Sequence, residues 1–192
     1  MKSARPERGL LPPKKRRRNA LRGLAASLLP VLALACWSEE EREAGFETPP
    51  PAAPDFILPQ LEGGGVVSLG DLEGKIVILD LWATWCPPCA LQVPVLNAFH
   101  EAHRGEGDVV VYGVSVDQIG VEEIRDWVAE HDVRYPNLVG GDALSRKLGA
   151  VGFPALFVVG PDGLLYERHE GVIELETLEA FLARRRDALA AL

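Results

Sequence analysis

The sequence predicts an α/β sandwich: a central mixed sheet, entered through an N-terminal β-hairpin, with helices laid against it. Three observations carry that prediction. Beyond residue 54, β-rich runs alternate with segments of helical period; the turn signal Pro161-Asp162-Gly163 joins two β-rich runs late in the chain; and residues 175–192 read as one closing helix. Strands separated by helices, followed by a hairpin and a covering helix, are the pattern of a mixed sheet rather than of a bundle or a barrel.

Taken in order, residues 56–58 and 66–69 are short strands, and Gly63, Gly64 and Gly65 mark the turn between them. Residues 76–82 are an apolar run with the length of a buried strand. After Cys86 the period changes: Cys89, Val93, Leu96 and His100 fall on one helical face as far as about Arg104, where Gly105 and Gly107 stop it. Residues 109–116 are β-rich again. Val121, Ile124, Trp127, Val128 and His131 define a second amphipathic helix, and residues 143–148 a short third one. Residues 155–159 and 164–169 flank the late turn, and Arg184, Arg185 and Arg186 suit the negative end of the closing helix dipole.

A chain of 192 residues has room for one domain with appendages. With 47% hydrophobic and 25% charged residues it is of ordinary globular composition, which excludes wholesale disorder, collagen and multi-span membrane classes. The net charge of -8 joins two unlike parts. Residues 1–35 carry nine Lys and Arg against Glu7, whereas the rest carries 11 basic and 27 acidic side chains. The first part reads as a signal peptide: a basic stretch ends at Arg22, and the uncharged run 23–38, with Pro30 inside it, falls short of the about 20 apolar residues of a membrane span. Residues 36–54 read as a tether, in which Glu39, Glu40, Glu41 and Glu43 repel one another and Pro49, Pro50, Pro51 and Pro54 favour an extended chain. Residues 55–192 are then the folded domain. Its acidity speaks against nucleic acid, and no phosphate-binding glycine motif follows a strand. Ala33-Leu34-Ala35-Cys36 also resembles a bacterial lipoprotein box, with Ala33 where leucine is usual. That resemblance implies a lipid on Cys36 and attachment to a membrane; simple secretion and an uncleaved anchor stay open.

The chemistry centres on Trp85-Cys86-Pro87-Pro88-Cys89, a CxxC between the apolar strand and the first helix. Structural zinc needs four ligands, and the domain offers two thiols, no second CxxC, and four histidines (His100, His103, His131, His169) without ligand spacing to them. An inert structural disulfide would close too short a loop to constrain much of the unfolded chain. Redox chemistry and thiol-based metal transfer remain. Position favours redox: Cys86 starts a helix, where backbone N–H groups and the dipole stabilise a thiolate. Pro87 and Pro88 are tolerated in a first turn. Cys89, one turn on and facing inward, is placed to resolve a mixed disulfide formed by Cys86.

At these residues the sequence resembles the thioredoxin superfamily and, within it, the periplasmic TlpA/ResA-like branch. The resemblance covers nearly all of residues 53–192. Ala53-Pro54-Asp55-Phe56 resembles the branch's domain entry, residues 82–89 its active site and Gly152-Phe153-Pro154 its cis-proline loop. It implies a thioredoxin-like sandwich with an extra strand-helix insertion around residues 121–131, and a helix kinked at Pro94. It implies Cys86 as nucleophile, Cys89 as resolving cysteine, and a cis bond before Pro154 that lets the Phe153 main chain pair with a partner peptide beside Trp85. Asp80 matches the buried acid of thioredoxin; desolvation would raise its pKa and make it a proton acceptor for Cys89, the alternative being a satisfied buried polar group. Gln92 stands where many members carry glutamate, and it does not titrate. Trp82 reads as core.

The same resemblance implies protein disulfides as substrates, apocytochrome c among them, and electrons from a membrane thiol-disulfide donor. It implies location at the bacterial cell envelope, outside the cytoplasm. No nucleotide, flavin or other cofactor is expected beyond the redox-active Cys86–Cys89 disulfide. Reduction is the expected direction, with oxidation and isomerisation open because potential is not written in sequence. The competing function is copper handling for respiratory oxidase assembly, known in this branch, with Cys86 and Cys89 as Cu(I) ligands. Against it, Met1 is the only methionine and His169 the only later histidine to approach. A peroxidase reading is weaker, since Thr84 lies two residues before Cys86 where peroxiredoxins place Thr or Ser three before.

Overall fold

A computed structural model describes residues 49–191 of the chain. The readings of residues 1–35, of Cys36 and of most of the tether lie outside the described residues. The domain enters through a hairpin, β1 (Ile57–Pro59) and β2 (Val66–Ser68), with Leu58 opposite Val67. There follow β3 (Ile76–Trp82), α1 (Pro87–His103), β4 (Val109–Ser115), α2 (Val121–Glu130), β5 (Asn137–Leu138), α3 (Asp142–Leu148), β6 (Ala155–Val159), β7 (Leu165–Glu170) and α4 (Leu175–Ala190). The five main strands lie in the order β5-β4-β3-β6-β7. Helical crossovers make β3, β4 and β5 parallel, whereas the Pro161-Asp162-Gly163 turn makes β6 and β7 antiparallel, so the sheet is mixed as expected.

Every residue of β3 is buried because it is the central strand with both faces covered. Alternation divides its side chains between two cores. Val77, Leu79 and Leu81 pack with Phe56, Leu58 and Val67 of the hairpin region and with Leu144 and Leu148 of α3. Ile76 and Ile78 face the other way, onto Leu96 and Phe99 of α1 and Leu178 and Leu182 of α4. Helices α1 and α4 therefore share one face of the sheet.

Three expectations are corrected. Residues 51–53 belong to the folded domain, not to the tether. Leu165 N–H donates to the Pro51 carbonyl at 2.8 Å, Ala53 N–H donates to the Gly163 carbonyl at 2.9 Å, and Ala52 pairs with Leu164. A proline lacks a donor but keeps its carbonyl, so a Pro-rich segment still serves as an edge partner of the β6–β7 hairpin. Arg184, Arg185 and Arg186 do not act on the helix dipole, because the last turn of α4 holds no basic residue. Arg184 pairs with Glu167, Arg186 bridges Glu106 and Asp108, and Arg185 lies over the Tyr166 ring at 3.5 Å. Strand β5 was not foreseen, since two residues are too few to display alternation. It is fixed from outside: Leu61 N–H donates to the Asn137 carbonyl at 2.8 Å and Val139 N–H to the Pro59 carbonyl at 3.0 Å, so the entry hairpin covers this edge.

Candidate active site

The end of β3 delivers Trp82 to the core, and a short turn then turns the chain into α1, the Cys86 N–H donating to the Ala83 carbonyl at 3.1 Å. Cys86 is the N-cap of α1, with extended backbone. It forms a disulfide with Cys89, S–S 2.04 Å and Cα–Cα 5.4 Å. Both cysteines are buried, Cys86 at 4% and Cys89 at 2% exposure, which leaves Cys86 the slightly more exposed residue. Pro87 and Pro88 occupy the first two helical positions. Their rings remove two of the four N–H groups that a helix start normally offers, so a Cys86 thiolate relies more on the dipole than on direct hydrogen bonds. The helix continues through Pro94 to His103.

Trp85 is 64% exposed and its ring meets that of Phe153 edge-on, centroids 5.9 Å apart. The Phe153–Pro154 bond is cis. The Pro154 carbonyl accepts from Gly171 N–H at 2.8 Å, which brings the exposed Val172 alongside, and Val151 is exposed on the same loop. Gln92, one turn after Cys89, is buried; its Oε1 accepts from Ile173 N–H at 2.8 Å, while its Nε2 has no partner among the described residues. The side chain thus ties α1 to the loop that backs Pro154.

Beneath the helix, Asp80 lies in β3 opposite Gly113 and Leu156, and by alternation it shares the face of Ile76 and Ile78, onto which α1 packs. It is 2% exposed and its Oδ1 has no hydrogen-bond partner among the described residues. Burial pushes its carboxyl well above the ordinary carboxylate range. Tyr135 is buried nearby; its phenol is raised first by burial and second by the charge of Asp80. Trp82 is core: it stacks on Trp127 at 4.3 Å and its Nε1–H donates to Asn137 Oδ1 at 3.1 Å.

One polar residue at the site carries no signal in the sequence. Asp117, just beyond β4, accepts hydrogen bonds from both the N–H and the hydroxyl of Thr84 in the turn before Cys86. Its partner stands 33 residues away in the chain, so no local spacing announces it. His169 offers nothing to the sulfurs, its Nε2 lying 3.3 Å from the Val172 carbonyl. Among the described residues no group of three or more His, Cys, Asp or Glu is placed to hold a metal ion.

A buried Cys86–Cys89 disulfide at a helix start, set on a sheet of thioredoxin-like topology, makes this chain a thiol-disulfide oxidoreductase by class. The chain belongs to the AhpC/TSA family, which its residues 51–168 match. It is similar to thiol-disulfide oxidoreductase ResA of Oceanobacillus iheyensis, 34% identical over 136 residues, 68% of this chain and 69% of that protein. It is also similar to thiol:disulfide interchange protein DsbE of Pseudomonas fluorescens biotype C, 32% identical over 138 residues, 71% and 74% of the two chains. In fold it is similar to the crystal structure of the thioredoxin domain of a thiol-disulfide oxidoreductase from Bacteroides vulgatus, TM-score 0.60 and 27% identity, covering 68% of this chain and 94% of that one.

Proposed function

We propose that the chain reduces protein disulfides outside the cytoplasm, with Cys86 as nucleophile, Cys89 as resolving cysteine and Asp80 as proton acceptor. The observation that carries this reading is the Cys86–Cys89 disulfide at the N-terminus of α1, edged by exposed Trp85 and by the Phe153–Pro154 loop. The Cys86 thiolate attacks one sulfur of the substrate disulfide, forming a mixed disulfide and releasing the other sulfur as a thiolate that takes a proton. Cys89 then loses its proton to Asp80, attacks the Cys86 sulfur and releases the second substrate thiol. Two electrons and two protons have passed to the substrate, and the Cys86–Cys89 disulfide has re-formed. In this reading the pair itself carries the electrons without a resident cofactor, and a membrane thiol-disulfide protein re-reduces it. Trp85, Phe153 and Val172 give the partner peptide apolar contact, and the Pro154 loop offers it main-chain groups.

The names of the ResA and DsbE relatives support thiol-disulfide interchange, and the apolar run ahead of Cys36 supports export with a lipid on that residue. Cytochrome c maturation, with an apoprotein cysteine pair as substrate, is the role this reading favours. Copper handling ranks below it, because Cys86 and Cys89 have no third side-chain ligand in a described cluster. The test is the full chain with Cys89→Ser, expressed with its own leader. Cys86 then holds substrates as mixed disulfides for identification by mass spectrometry, and the same spectra read the mass on Cys36. Apocytochrome adducts are the expected result; tight Cu(I) binding by the wild-type protein, with no covalent adduct in the variant, would favour the copper role.

A further inference from the structure

Asp117 is 7% exposed, and among the described residues every hydrogen-bond partner of its carboxylate is a donor. Oδ2 accepts from Thr84 N–H at 2.9 Å and from the Ser115 hydroxyl at 2.9 Å, and Oδ1 accepts from the Thr84 hydroxyl at 3.0 Å. Among the described residues the group acts purely as an acceptor. Thr84 lies inside the turn that Ala83 and Cys86 close, so the clamp grips main chain and side chain two residues before the sulfur. Its far side is anchored as well. Ser115 Oγ accepts from Asp117 N–H at 3.2 Å, the Ser115 carbonyl accepts from Gly141 N–H at 2.8 Å, and the Trp82 carbonyl accepts from Val116 N–H at 3.0 Å.

All three donors to the carboxylate are neutral, and the surroundings supply little positive charge. The first turn of α1 holds no acidic residue, and its prolines provide no N–H. The other charged groups at this end of the sheet include Asp80 in β3, Glu122 and Glu123 at the start of α2, the Asp142–Arg146 pair at the start of α3, Glu174 and Glu176 at the start of α4, and the Arg168–Glu170 pair. Arg125 is engaged by Glu122 and the Leu61 carbonyl.

We propose that Asp117 is a positioning residue for the nucleophile: it fixes the Thr84 turn that presents Cys86, and its buried negative charge biases the Cys86–Cys89 pair towards the disulfide. The inference rests on the thiol-disulfide reading of that pair. Reduction converts the disulfide, two electrons and two protons into two thiols, and ionisation of the Cys86 thiol draws that equilibrium towards the reduced side. A carboxylate held near Cys86 opposes the thiolate and leaves the neutral disulfide unaffected, so it makes the pair a stronger reductant.

Equilibration of the purified full chain with glutathione tests this, since two glutathione thiols reduce the pair and leave as one glutathione disulfide. Asp117→Asn keeps the shape and an acceptor for Thr84 N–H but removes the charge. Its equilibrium constant for reduction is expected to rise about tenfold, about 30 mV for a two-electron couple. The gap from wild type narrows as pH falls below the titration of the Cys86 thiol. Asp117→Ser, smaller and also neutral, shifts the same way, and Asp117→Glu returns towards wild type. Asp117→Asn with the wild-type equilibrium at every pH would overturn the proposal, as would a pH-independent shift that Thr84→Val reproduces. If wild type fails to exchange with glutathione at all, the thiol-disulfide reading itself fails; if it equilibrates and Asp117→Asn does not move, only the role of Asp117 is lost.

Discussion

At Asp80, burial pushes the carboxyl well above the ordinary carboxylate range. The folded state holds the proton to higher pH than the unfolded chain does. The stability contributed by that proton is therefore full below the ordinary carboxylate range and is lost as pH rises through the raised folded value. Asp80→Asn, which cannot ionise, should melt at a higher temperature than wild type near neutrality, with the difference vanishing towards about pH 4. The same variant should release mixed disulfides more slowly at neutral pH, because Cys89 loses its acceptor. Greater stability together with slower resolution is what a proton-transfer role requires; an unchanged resolution profile would reduce Asp80 to a buried polar residue. Asp80 stands out in the sequence through its place before the CxxC. Asp117 does not, because a lone carboxylate after a strand becomes informative only once Thr84 is folded against it.

Among the elements, β4 shows why a glycine belongs in a strand. A Cβ on Gly113 would lie 2.1 Å from Asn137 Oδ1 and 2.9 Å from both Trp82 Nε1 and the Tyr135 ring. Gly113→Ala should therefore cost about 1–3 kcal/mol in denaturant unfolding through overpacking and displacement of the Trp82–Asn137 hydrogen bond. Retained stability would mean that the β4–β5 edge yields easily. The long elements were legible from the sequence because each displays its period over several residues: the apolar run of β3, the inward face of α1 and the turn between β6 and β7. Strand β5 was not, since tertiary partners rather than its own two residues define it. The partners of the α4 arginines are hidden in the sequence for a related reason. Proximity in sequence to a helix end suggested the dipole, whereas Glu167, Glu106 and Asp108 come from elsewhere in the chain.

For the molecule as a whole, the N-terminal boundary of the domain is itself testable. A chain beginning at residue 49 keeps the contacts of residues 51–53 with the β6–β7 hairpin, and one beginning at residue 55 loses both hydrogen bonds. At about 0.5–1.5 kcal/mol each, the shorter chain should be less stable by about 1–3 kcal/mol, visible as a lower melting temperature. Fold class and the cysteine pair were legible because the CxxC, the Gly152-Phe153-Pro154 loop and the order of strands and helices agree with one another. In the proposed reaction electrons pass through Cys86 first and Cys89 second. Its most direct measurement is a single turnover of the reduced protein with a peptide disulfide, followed by mass spectrometry. Wild type should give fully reduced peptide and a closed Cys86–Cys89 disulfide, and Cys89→Ser should stop at a one-to-one adduct on Cys86. Undiminished peptide reduction by Cys86→Ser, or a Cys89→Ser protein that releases reduced peptide without ever forming the adduct, would contradict it.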